Sequence, residues 1–469
     1  MSGKSPCIMW FRRDLRLADH PALRAAAEGG RPVVPVFIRD AVVDDMGAAP
    51  RWRLERGLEV FAEALETAGS RLVLRAGPAL EVLRELVEET GADTIYWSRL
   101  YEPAARERDE RVKAGLRDDG LEARSLPGHL LFEPWTVETG QGGYYKVFTP
   151  YWKAVKGRDL PAPCPKPDLT APDRWPRSDR LADWGLGGAM NRGAAVVAEH
   201  VDAGEAAANR RFGQFVARRI DDYAGARDML AEDGTSGMSQ YLTLGEISPL
   251  TLWTKSLDAS GEGAETFRKE LAWREFSHHL VFHTPHITEE NWREEWRDFP
   301  WNDDDRRKEV IAWKRGRTGE PVVDAAMREL FVTGRMHNRA RMIVASYLCK
   351  HLLCHWRIGQ KWFEECLVDW DPASNALGWQ WVAGSGPDAA PYFRVFNPET
   401  QAERFDPDRA YRRRWLAEGE AQPTRTALSY FDAIPRSWRM DPGDPVPDRI
   451  VGLKEGRDRA LAAYEEARS

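Results

Sequence analysis

Three residues of the segment KELAWREF could together bind a flat, polar ligand. Glu270, Trp273 and Arg274 follow one another at spacings of three and four, and residues at these spacings are neighbours on one side of a helix. That side would offer a carboxylate, an indole and a guanidinium. The structural alternative is a surface ion pair between Glu270 and Arg274 beside a core tryptophan, and the motif alone leaves it open.

A second segment, GRMHNRARM, places Asn338, Arg341 and Met342 at the same spacings. An amide and a polarisable thioether on one helix face suit a planar heteroaromatic ligand. A dense apolar run follows, so the pattern predicts a helix whose first turn lies at the edge of a buried site. A helix start with a basic face is the alternative.

Two further stretches lack bulky side chains where a ligand could approach the backbone. The loop GTSGMS, residues 234–239, has hydroxyls and backbone N–H groups that could hold a phosphate, helped by a helix dipole. The stretch DWDPASNALGWQW, residues 369–381, combines small residues with Trp370, Trp379 and Trp381. This composition predicts a closely packed site with tryptophan walls.

Other motifs argue against other chemistries. Cys349, His351, Cys354 and His355 match no standard zinc spacing and would spread over more than one face of a helix, so no metal site is expected. The Gly-Ser-Gly of residues 384–386 is not the Gly-x-Ser-x-Gly elbow of hydrolases, and it does not predict acyl transfer.

Length and composition set the broad class. The 469 residues have room for about three ordinary domains. The formal charge is −7, so a nucleic-acid partner would have to meet a local basic patch. Five cysteines without a C-x-x-C pair favour a reducing compartment. The N-terminus lacks the apolar core of a secretory signal and no apolar run approaches the ~18 residues of a membrane span. A cytoplasmic monomer without membrane contact is expected.

The hydrophobic pattern predicts an α/β domain followed by an all-helical one. Apolar runs alternate with amphipathic segments over the first 135 residues or so, which is typical of a doubly wound parallel sheet. Strands are predicted at residues 7–11, 32–38, 71–76 and 94–98, and helices at 51–69 and 79–91. No glycine-rich fingerprint follows the first strand, so an ordinary dinucleotide pyrophosphate site is not expected at that turn.

The rest of the chain divides into a connector and a helical part. Prolines crowd residues 159–188, and this composition cannot sustain a helix or a central strand. Beyond about residue 195 amphipathic helices dominate. The predicted organisation is an α/β domain at residues 1–135, an interdomain connector at 136–199 and a helical domain at 200–469.

Six motifs occur in a fixed order along the chain, and they resemble one family. They are WFRRDLRL, GTSGMS, ELAWREF, GEPVVDAAMRE, MHNRARM and DWDPASNALGWQW. Together they resemble the photolyase and cryptochrome flavoproteins from near residue 8 to about residue 415. Met342 after Asn338, together with Glu270, Trp273 and Trp381, resembles the class I photolyases that act on cyclobutane pyrimidine dimers. The resemblance implies that the helical domain holds FAD in a U shape.

The resemblance also implies which residues bind FAD. Asn375 would face flavin N5, Asp371 would touch the polar edge of the ring, and Arg341 and Asp369 would pair beside the isoalloxazine. Gly237 stands where some relatives have an arginine, which leaves that contact to the phosphate open. The implied FAD-binding residues are Tyr223, Thr235, Ser236, Gly237, Met238, Ser239, Glu270, Arg274, Asn338, Arg341, Asp369, Asp371 and Asn375.

The implied substrate is UV-damaged DNA whose dimer is flipped out of the duplex. Glu270, Asn338 and Met342 would surround the dimer, and with Asn375 they form the implied catalytic set. The implied DNA-binding residues are Arg227, Arg274, Arg339 and Arg394 at phosphates, Met342 at the dimer, and Trp273 and Trp381 as apolar walls.

An electron relay to the flavin is implied by the same resemblance. Its members would be Trp379, Trp356 and Trp301, in order away from the flavin. Trp301 is defined least sharply, because its spacing to Trp313 is about two residues longer than in relatives.

The implied function is blue-light-driven repair, in which reduced FAD lends one electron to the dimer and regains it after the ring opens. An acid role for Glu270 would need a raised pKa, which burial beside Trp273 could supply. The alternatives are a cryptochrome-type signalling flavoprotein and an FAD-dependent DNA-binding protein without catalysis. The intact residues of the dimer pocket favour repair.

A second, antenna chromophore is also implied. Asp45, Met46 and residues 101–106 resemble the members that bind 8-hydroxydeazaflavin. Members that bind methenyltetrahydrofolate carry an Asn and Glu pair where this chain has Ala104 and Ala105. A deazaflavin-type antenna is therefore favoured over folate.

Overall fold

Five parallel strands form the N-terminal sheet of the computed structural model, which describes residues 4–468. In the order β3-β2-β1-β4-β5, the strands are β1 Cys7–Phe11, β2 Val33–Arg39, β3 Val73–Ala76, β4 Thr94–Ser98 and β5 Glu122–Leu126. The helices on the two faces are α1 Pro21–Ala27, α2 Ala41–Asp44, α3 Ala48–Thr67, α4 Ala79–Thr90 and α5 Pro103–Asp118. The domain limits predicted at residues 1 and 469 lie outside the described residues.

The central strand shows why the strands appear in the sequence as continuous apolar runs. Every residue of β1 is buried, and Ile8 lies opposite both Val34 and Ile95, as in a parallel sheet that helices cover on both faces. The four predicted strands are confirmed within about two residues at each end. The fifth, β5, gave no apolar run because only Ala123 is fully buried in this edge strand.

Side chains fill the crevice where doubly wound folds often bind nucleotides, beyond the carboxyl end of β1. The guanidinium carbon of Arg12 lies 4.2 Å from the centre of the Trp10 ring. Arg12 also pairs with Asp109 at 3.0 Å, and Arg108 pairs with Asp40 at 3.0 Å. This arrangement fits the missing glycine fingerprint.

The predicted connector is only partly a connector. Residues 159–180 contain neither helix nor strand, in line with their prolines. The remainder holds three α-helices, α6 Phe148–Val155, α7 Leu181–Trp184 and α8 Gly193–Ala198. Phe148 and Tyr151 of α6 are buried in the core of the helical domain, so the limits drawn at 136–199 include a stretch that packs with the following domain. Proline content alone could not reveal this.

The C-terminal part, residues 205–466, contains α-helices joined by loops and short 3-10 or π segments. Its helices are α9 Glu205–Arg218, α10 Tyr223–Ala226, α11 Ser239–Leu242, α12 Pro249–Ser256, α13 Glu262–His283, α14 Lys308–Lys314, α15 Pro321–Thr333, α16 Asn338–Ser346, α17 Trp356–Cys366, α18 Pro372–Ala383, α19 Pro398–Phe405, α20 Ala410–Trp415, α21 Arg425–Ala433 and α22 Leu453–Glu466. The predicted fold class is confirmed. No helix among residues 4–468 is both long enough and apolar enough to cross a membrane.

The two domains are joined by buried polar contacts. Arg53 of α3 and Glu246 of the helical domain form an ion pair whose side chains are both inaccessible to solvent. Nearby, Gly245 has φ +63°, and a Cβ there would lie 2.2 Å from the backbone oxygen of Arg13. Only glycine allows this approach. The contact holds the loop that follows β1 against the helical domain.

Candidate active site

Two cavities of the helical domain meet at a shared wall. Their volumes are about 560 Å³ and 190 Å³, and Asn338, Arg341 and Asp369 line both. Of the predicted residues, the larger cavity is also lined by Tyr223, Arg227, Thr235, Ser236, Gly237, Met238, Ser239 and Glu270, and the smaller by Met342, Asp371, Asn375 and Trp379. The shape suits an elongated ligand with two ends of different chemistry.

The loop of residues 234–239 forms part of the wall of the larger cavity. Gly237 adopts φ +69°, and a Cβ there would lie 3.1 Å from the Nε of Arg211. Arg211, on α9, donates to the backbone oxygens of Ser236 and Thr235 at 2.9 Å each. The guanidinium of Arg211 on α9 therefore lies beside Gly237 of the loop. Sequence reasoning missed Arg211, whose only signal was the Arg-Arg pair in EAAANRRF.

A buried carboxylate joins the segments that form the walls of the two cavities. Asp369 accepts a hydrogen bond from the Ser239 hydroxyl at 2.6 Å and from Arg341 Nη2 at 2.8 Å. Only 5% of Asp369 is exposed. Charge-assisted bonds of this kind are among the strongest polar contacts in proteins. Arg341 is thereby fixed with its positive charge at the junction of the cavities, beside Asp369 as the resemblance implied.

The helix α16 confirms the spacing argument. Asn338, Arg341 and Met342 all line the smaller cavity, because residues three and four apart share a helix face. Asn338 is the first residue of the helix, as predicted from the apolar run that follows it.

The helix α18 supplies the other wall of the smaller cavity. Its cap residue Asp371 accepts a hydrogen bond from the Ser374 N–H at 2.8 Å. Asn375 donates through Nδ2 to the backbone oxygen of Gln360 at 3.0 Å. No atom would lie within 4 Å of a Cβ at Gly378. Small residues thus leave the backbone of α18 open to a ligand.

Asp371 also belongs to a buried charged network between the domains. Arg13 donates to Asp371 at 2.8 Å and to Glu102 at 2.6 Å. Burial raises the pKa of Asp371, but His278 and then Arg13 outweigh this and hold it well below its usual range. Glu102, His129, His278 and Asp371 are the group of described residues whose ligand atoms lie close enough for a metal ion. The guanidinium of Arg13 already pairs with both carboxylates, so the network is an ionic one.

The three residues of KELAWREF do not form one site. Glu270 lines the larger cavity and accepts a hydrogen bond from Arg227. Trp273 instead stacks on Phe148 with ring centres 3.7 Å apart. The expected burial of Glu270 beside Trp273 is also wrong, because 32% of the Glu270 side chain is exposed. Packing against α6, which the helical spacing could not foresee, separates these side chains.

Like Arg227, which pairs with Glu270, two further arginines predicted at DNA phosphates are paired within the protein. Arg274 donates to the backbone oxygen of His129 at 3.0 Å and to Glu275 at 3.2 Å, with 11% of its side chain exposed. It lines neither cavity, so its assignments to FAD and to DNA are corrected. Arg339 pairs with Asp228 at 2.7 Å and remains near the surface.

Other predicted DNA contacts lie near one another. The backbone N–H of Ala390 donates to the oxygen of Trp381 at 3.1 Å, which ties the segment ending at Arg394 to α18. The buried ammonium of Lys350 donates to the backbone oxygen of Arg394 at 2.8 Å. Arg394 is exposed, and 61% of the neighbouring Phe393 is exposed. The segment presents a basic and an aromatic side chain together.

One tryptophan that lines the smaller cavity, Trp379, is tightly packed. Trp379 is 2% exposed, and a Cβ at Gly359 would lie 2.0 Å from its ring. Gly359 belongs to α17, which begins at Trp356. Trp356 is fully buried and donates through its indole N–H to Asn291 at 2.7 Å. The helix α17 therefore connects two of the three proposed relay members.

The third relay member lies farther along the same side. The ring of Trp301 is 5.4 Å from that of His355, which is 5.5 Å from that of Trp356. The ring of Trp313 lies 6.2 Å from that of Trp379, and sequence spacing did not predict this contact. The separation of Trp313 from Trp379 along the chain hid this contact.

A cleft of about 470 Å³ lies between the two domains. Residues 45–46 and 104–105 line it from the N-terminal domain, and Trp370 and Asn375 line it from the helical domain. Asn375 therefore borders both this cleft and the smaller cavity. The positions from which an antenna is predicted lie together here.

Both halves of the chain match models of one family. Residues 7–168 match "DNA photolyase" and residues 267–466 match "FAD binding domain of DNA photolyase". The chain is 46% identical to the deoxyribodipyrimidine photo-lyase of Agrobacterium fabrum, over 98% of each protein. A bacterial class III photolyase structure from Agrobacterium tumefaciens matches with TM-score 0.92 and 44% identity, covering 100% of this chain and 98% of that one.

A more distant structure is informative about cofactors. The archaeal photolyase from Sulfolobus tokodaii, solved with two FAD molecules, matches with TM-score 0.80 and 28% identity, covering 98% of this chain and all of that one. None of these comparisons supports the expected class I subgroup, and one similar structure is named as class III. Because it is 46% identical to the Agrobacterium fabrum photo-lyase over 98% of its length, the chain belongs to the photolyase/cryptochrome family, as an FAD-binding enzyme of the photolyase type.

Proposed function

We propose that this protein splits cyclobutane pyrimidine dimers in DNA under blue light. The supporting observation is the ion pair of Asp369 and Arg341, which lies where the two cavities meet. The smaller cavity carries Asn375 and Trp379, which suit a redox-active ring, and the larger cavity carries Glu270, which suits an uncharged polar base. Light-dependent repair of an oligonucleotide with one cyclobutane thymine dimer tests the proposal. Binding in the dark without repair in the light would refute it.

The residues present fit FAD. The hydroxyls and the backbone of residues 235–239 offer donors for phosphate, and the open backbone around Gly378 leaves room for a flat ring. Once bound and reduced, FAD would supply one electron after absorbing blue light and recover it when the dimer has opened. Because the Asn375 amide nitrogen donates to Gln360, the Asn375 carbonyl oxygen is left to accept from a ring N–H. Arg341, held by Asp369, would place positive charge beside the same ring.

Glu270 acts in this proposal as a charged acceptor. Arg227 donates to its carboxylate, and the acid role expected from the sequence is not part of the proposal. Burial lowers the pKa of Arg227, but Glu270 outweighs that effect, so the net pKa of Arg227 is raised. A carboxylate can accept from pyrimidine N–H groups, while Arg227 offsets negative charge that develops on the dimer.

We expect Glu270→Gln to lower the repair yield per absorbed photon by roughly threefold to tenfold, since it weakens a charge-assisted contact. Arg227→Gln should lower it similarly, and the double variant should lose little more, because each change breaks the same pair. The yield is measured with photoreduced enzyme on a single-dimer oligonucleotide. Glu265→Gln, an exposed glutamate on the same helix, is the control. Parental yield in Glu270→Gln would remove Glu270 from the mechanism.

The DNA-binding face is proposed around Trp381 and Arg394, with Arg339 at its edge. A net negative chain needs such a local basic surface to meet DNA, and the exposed Phe393 beside Arg394 adds a stacking surface. Monomeric state and a cytoplasmic location also remain our predictions.

We further propose that the cleft between the domains holds the antenna. Ala104 and Ala105 offer no hydrogen bond of the kind that a folate would receive, which favours a deazaflavin-type ring. The absorption spectrum of the purified protein should then contain a band besides that of FAD, and denaturation should release 8-hydroxydeazaflavin. Release of methenyltetrahydrofolate, or of FAD in twofold excess over protein, would overturn this choice.

A further inference from the structure

We infer that the tryptophan relay continues beyond Trp301 through Trp296 to Tyr464, and that the cavity beside Tyr464 receives a small anionic reductant. This inference rests on the relay assigned under the proposed function. It adds the exit of that relay and the class of molecule that reduces it.

Trp301 is poorly placed to be the last member of a relay. It is 8% exposed, and its indole N–H donates to the backbone oxygen of Cys349 at 3.1 Å. An oxidised Trp301 would therefore have little direct contact with a reductant or with bulk water. A route outward from this ring is needed for reduction to be completed.

Near-parallel rings provide that route. The rings of Trp301 and Trp296 are 5.4 Å apart at an angle of 16°, and those of Trp296 and Tyr464 are 6.0 Å apart at 22°. These separations lie within the range of aromatic contact. Electron tunnelling weakens steeply with distance, so contacting rings are the favoured steps. Trp296 is 6% exposed, whereas Tyr464 is partly exposed.

A second tyrosine at this place is unsuited to the task. Tyr392 contacts Trp296 at 5.2 Å but is 2% exposed, and burial raises the pKa of its hydroxyl. By contrast, the hydroxyl of Tyr464 accepts from Arg468 at 2.7 Å, which leaves its own proton free to pass to water.

Tyr464 also borders an open cavity of about 370 Å³. Trp296, Tyr464, Arg293, Arg468 and Glu295 contribute to its walls. Two guanidiniums and one carboxylate give these walls a net positive charge, which attracts anions. The volume is at the small end of ordinary ligand pockets. A compact anion such as an enediolate fits both properties.

The electrons and protons balance along this route. The electron that Trp379 loses to oxidised FAD is replaced in turn from Trp356, Trp301, Trp296 and Tyr464. Tyr464 then releases its phenolic proton to water and becomes a neutral tyrosyl radical. An enediol monoanion in the cavity returns one electron and one proton to the phenoxyl oxygen, which restores the tyrosine and leaves the singly oxidised reductant.

Flash photolysis of the full chain with oxidised FAD tests the exit. We expect a long-lived tyrosyl radical in the parental protein by transient absorption and electron paramagnetic resonance. Tyr464→Phe should leave a tryptophanyl radical whose lifetime is at least about tenfold shorter, since recombination then competes. Trp296→Phe should also abolish the tyrosyl signal. Tyr145→Phe, a partly exposed tyrosine in a different core cluster, should match the parent. A tyrosyl signal in Tyr464→Phe would overturn the inference.

The relay and its extension fail in different ways. If Trp379→Phe still yields the tyrosyl radical, the relay itself is wrong. If Trp379→Phe yields no radical but Tyr464→Phe behaves as the parent, only the extension is wrong. Dimer repair by enzyme reduced beforehand should be unchanged in Tyr464→Phe, so this assay reports on the proposed function separately.

The reductant site is tested with ascorbate, an enediol monoanion, against dithiothreitol, which is neutral. In the variant that combines Arg293→Gln and Arg468→Gln, the half-saturating ascorbate concentration for flavin photoreduction should rise at least about fivefold. The rate with dithiothreitol should stay within about twofold, and added salt should mimic the variant for ascorbate only. Equal changes for both donors, or a rate that never saturates with ascorbate, would overturn the site.

Discussion

Replacing Trp379 by phenylalanine should slow photoreduction of oxidised flavin at least about a hundredfold while leaving repair by enzyme already reduced within about twofold of the parent. Trp379 lines the smaller cavity, so it would be the first donor to a ring bound there. Phenylalanine fills most of the same space but is much harder to oxidise. Repair needs no electron from the protein, because the electron lent to the dimer returns.

The measurement is flavin bleaching under continuous blue light with excess reductant, followed by a repair assay on separately reduced protein. Trp313→Phe is the matched control, because Trp313 is fully buried and its ring contacts Trp379 but it lies off the proposed route through Trp356. It should photoreduce at nearly the parental rate. Impaired repair by reduced Trp379→Phe would show that this residue serves more than the relay.

Asp369→Asn should weaken FAD binding at least about a hundredfold. This buried carboxylate anchors both Ser239 and Arg341, and removing one partner of a hydrogen bond so that a buried polar group is left unsatisfied costs about 1–3 kcal/mol, and more for charged groups. The variant would leave the Arg341 guanidinium without its partner and release the loop of residues 234–239. The wall that the two cavities share would lose its ion pair.

The affinity is measured by the quenching of FAD fluorescence as apoprotein is added. Asp305→Asn supplies the control, since Asp305 forms an exposed ion pair with Lys314 at 3.2 Å, and such pairs contribute at most about 1 kcal/mol. It should bind FAD as the parent does, with an unchanged melting temperature. Undiminished affinity in Asp369→Asn would mean that FAD does not occupy the junction of the two cavities.

The sequence determined those parts of the site that depend on spacing along one helix. Asn338, Arg341 and Met342 share a cavity because an α-helix repeats every 3.6 residues whatever surrounds it. Small residues around Gly378 indicated an open backbone for the same local reason. The motifs also indicated the family, and with it the two-domain fold that the comparisons confirm.

Only the tertiary structure decided which faces meet. Glu270, Trp273 and Arg274 do have helical spacing, yet the indole of Trp273 packs against α6 and the guanidinium of Arg274 donates to the N-terminal domain. Arg211 and Tyr464 reach the proposed sites through contacts between segments far apart in the chain. Local periodicity fixes the direction of a side chain relative to its own helix, whereas its partner depends on packing among all the helices. The Arg211 guanidinium beside Gly237 and the outward end of the relay are therefore properties of the folded protein.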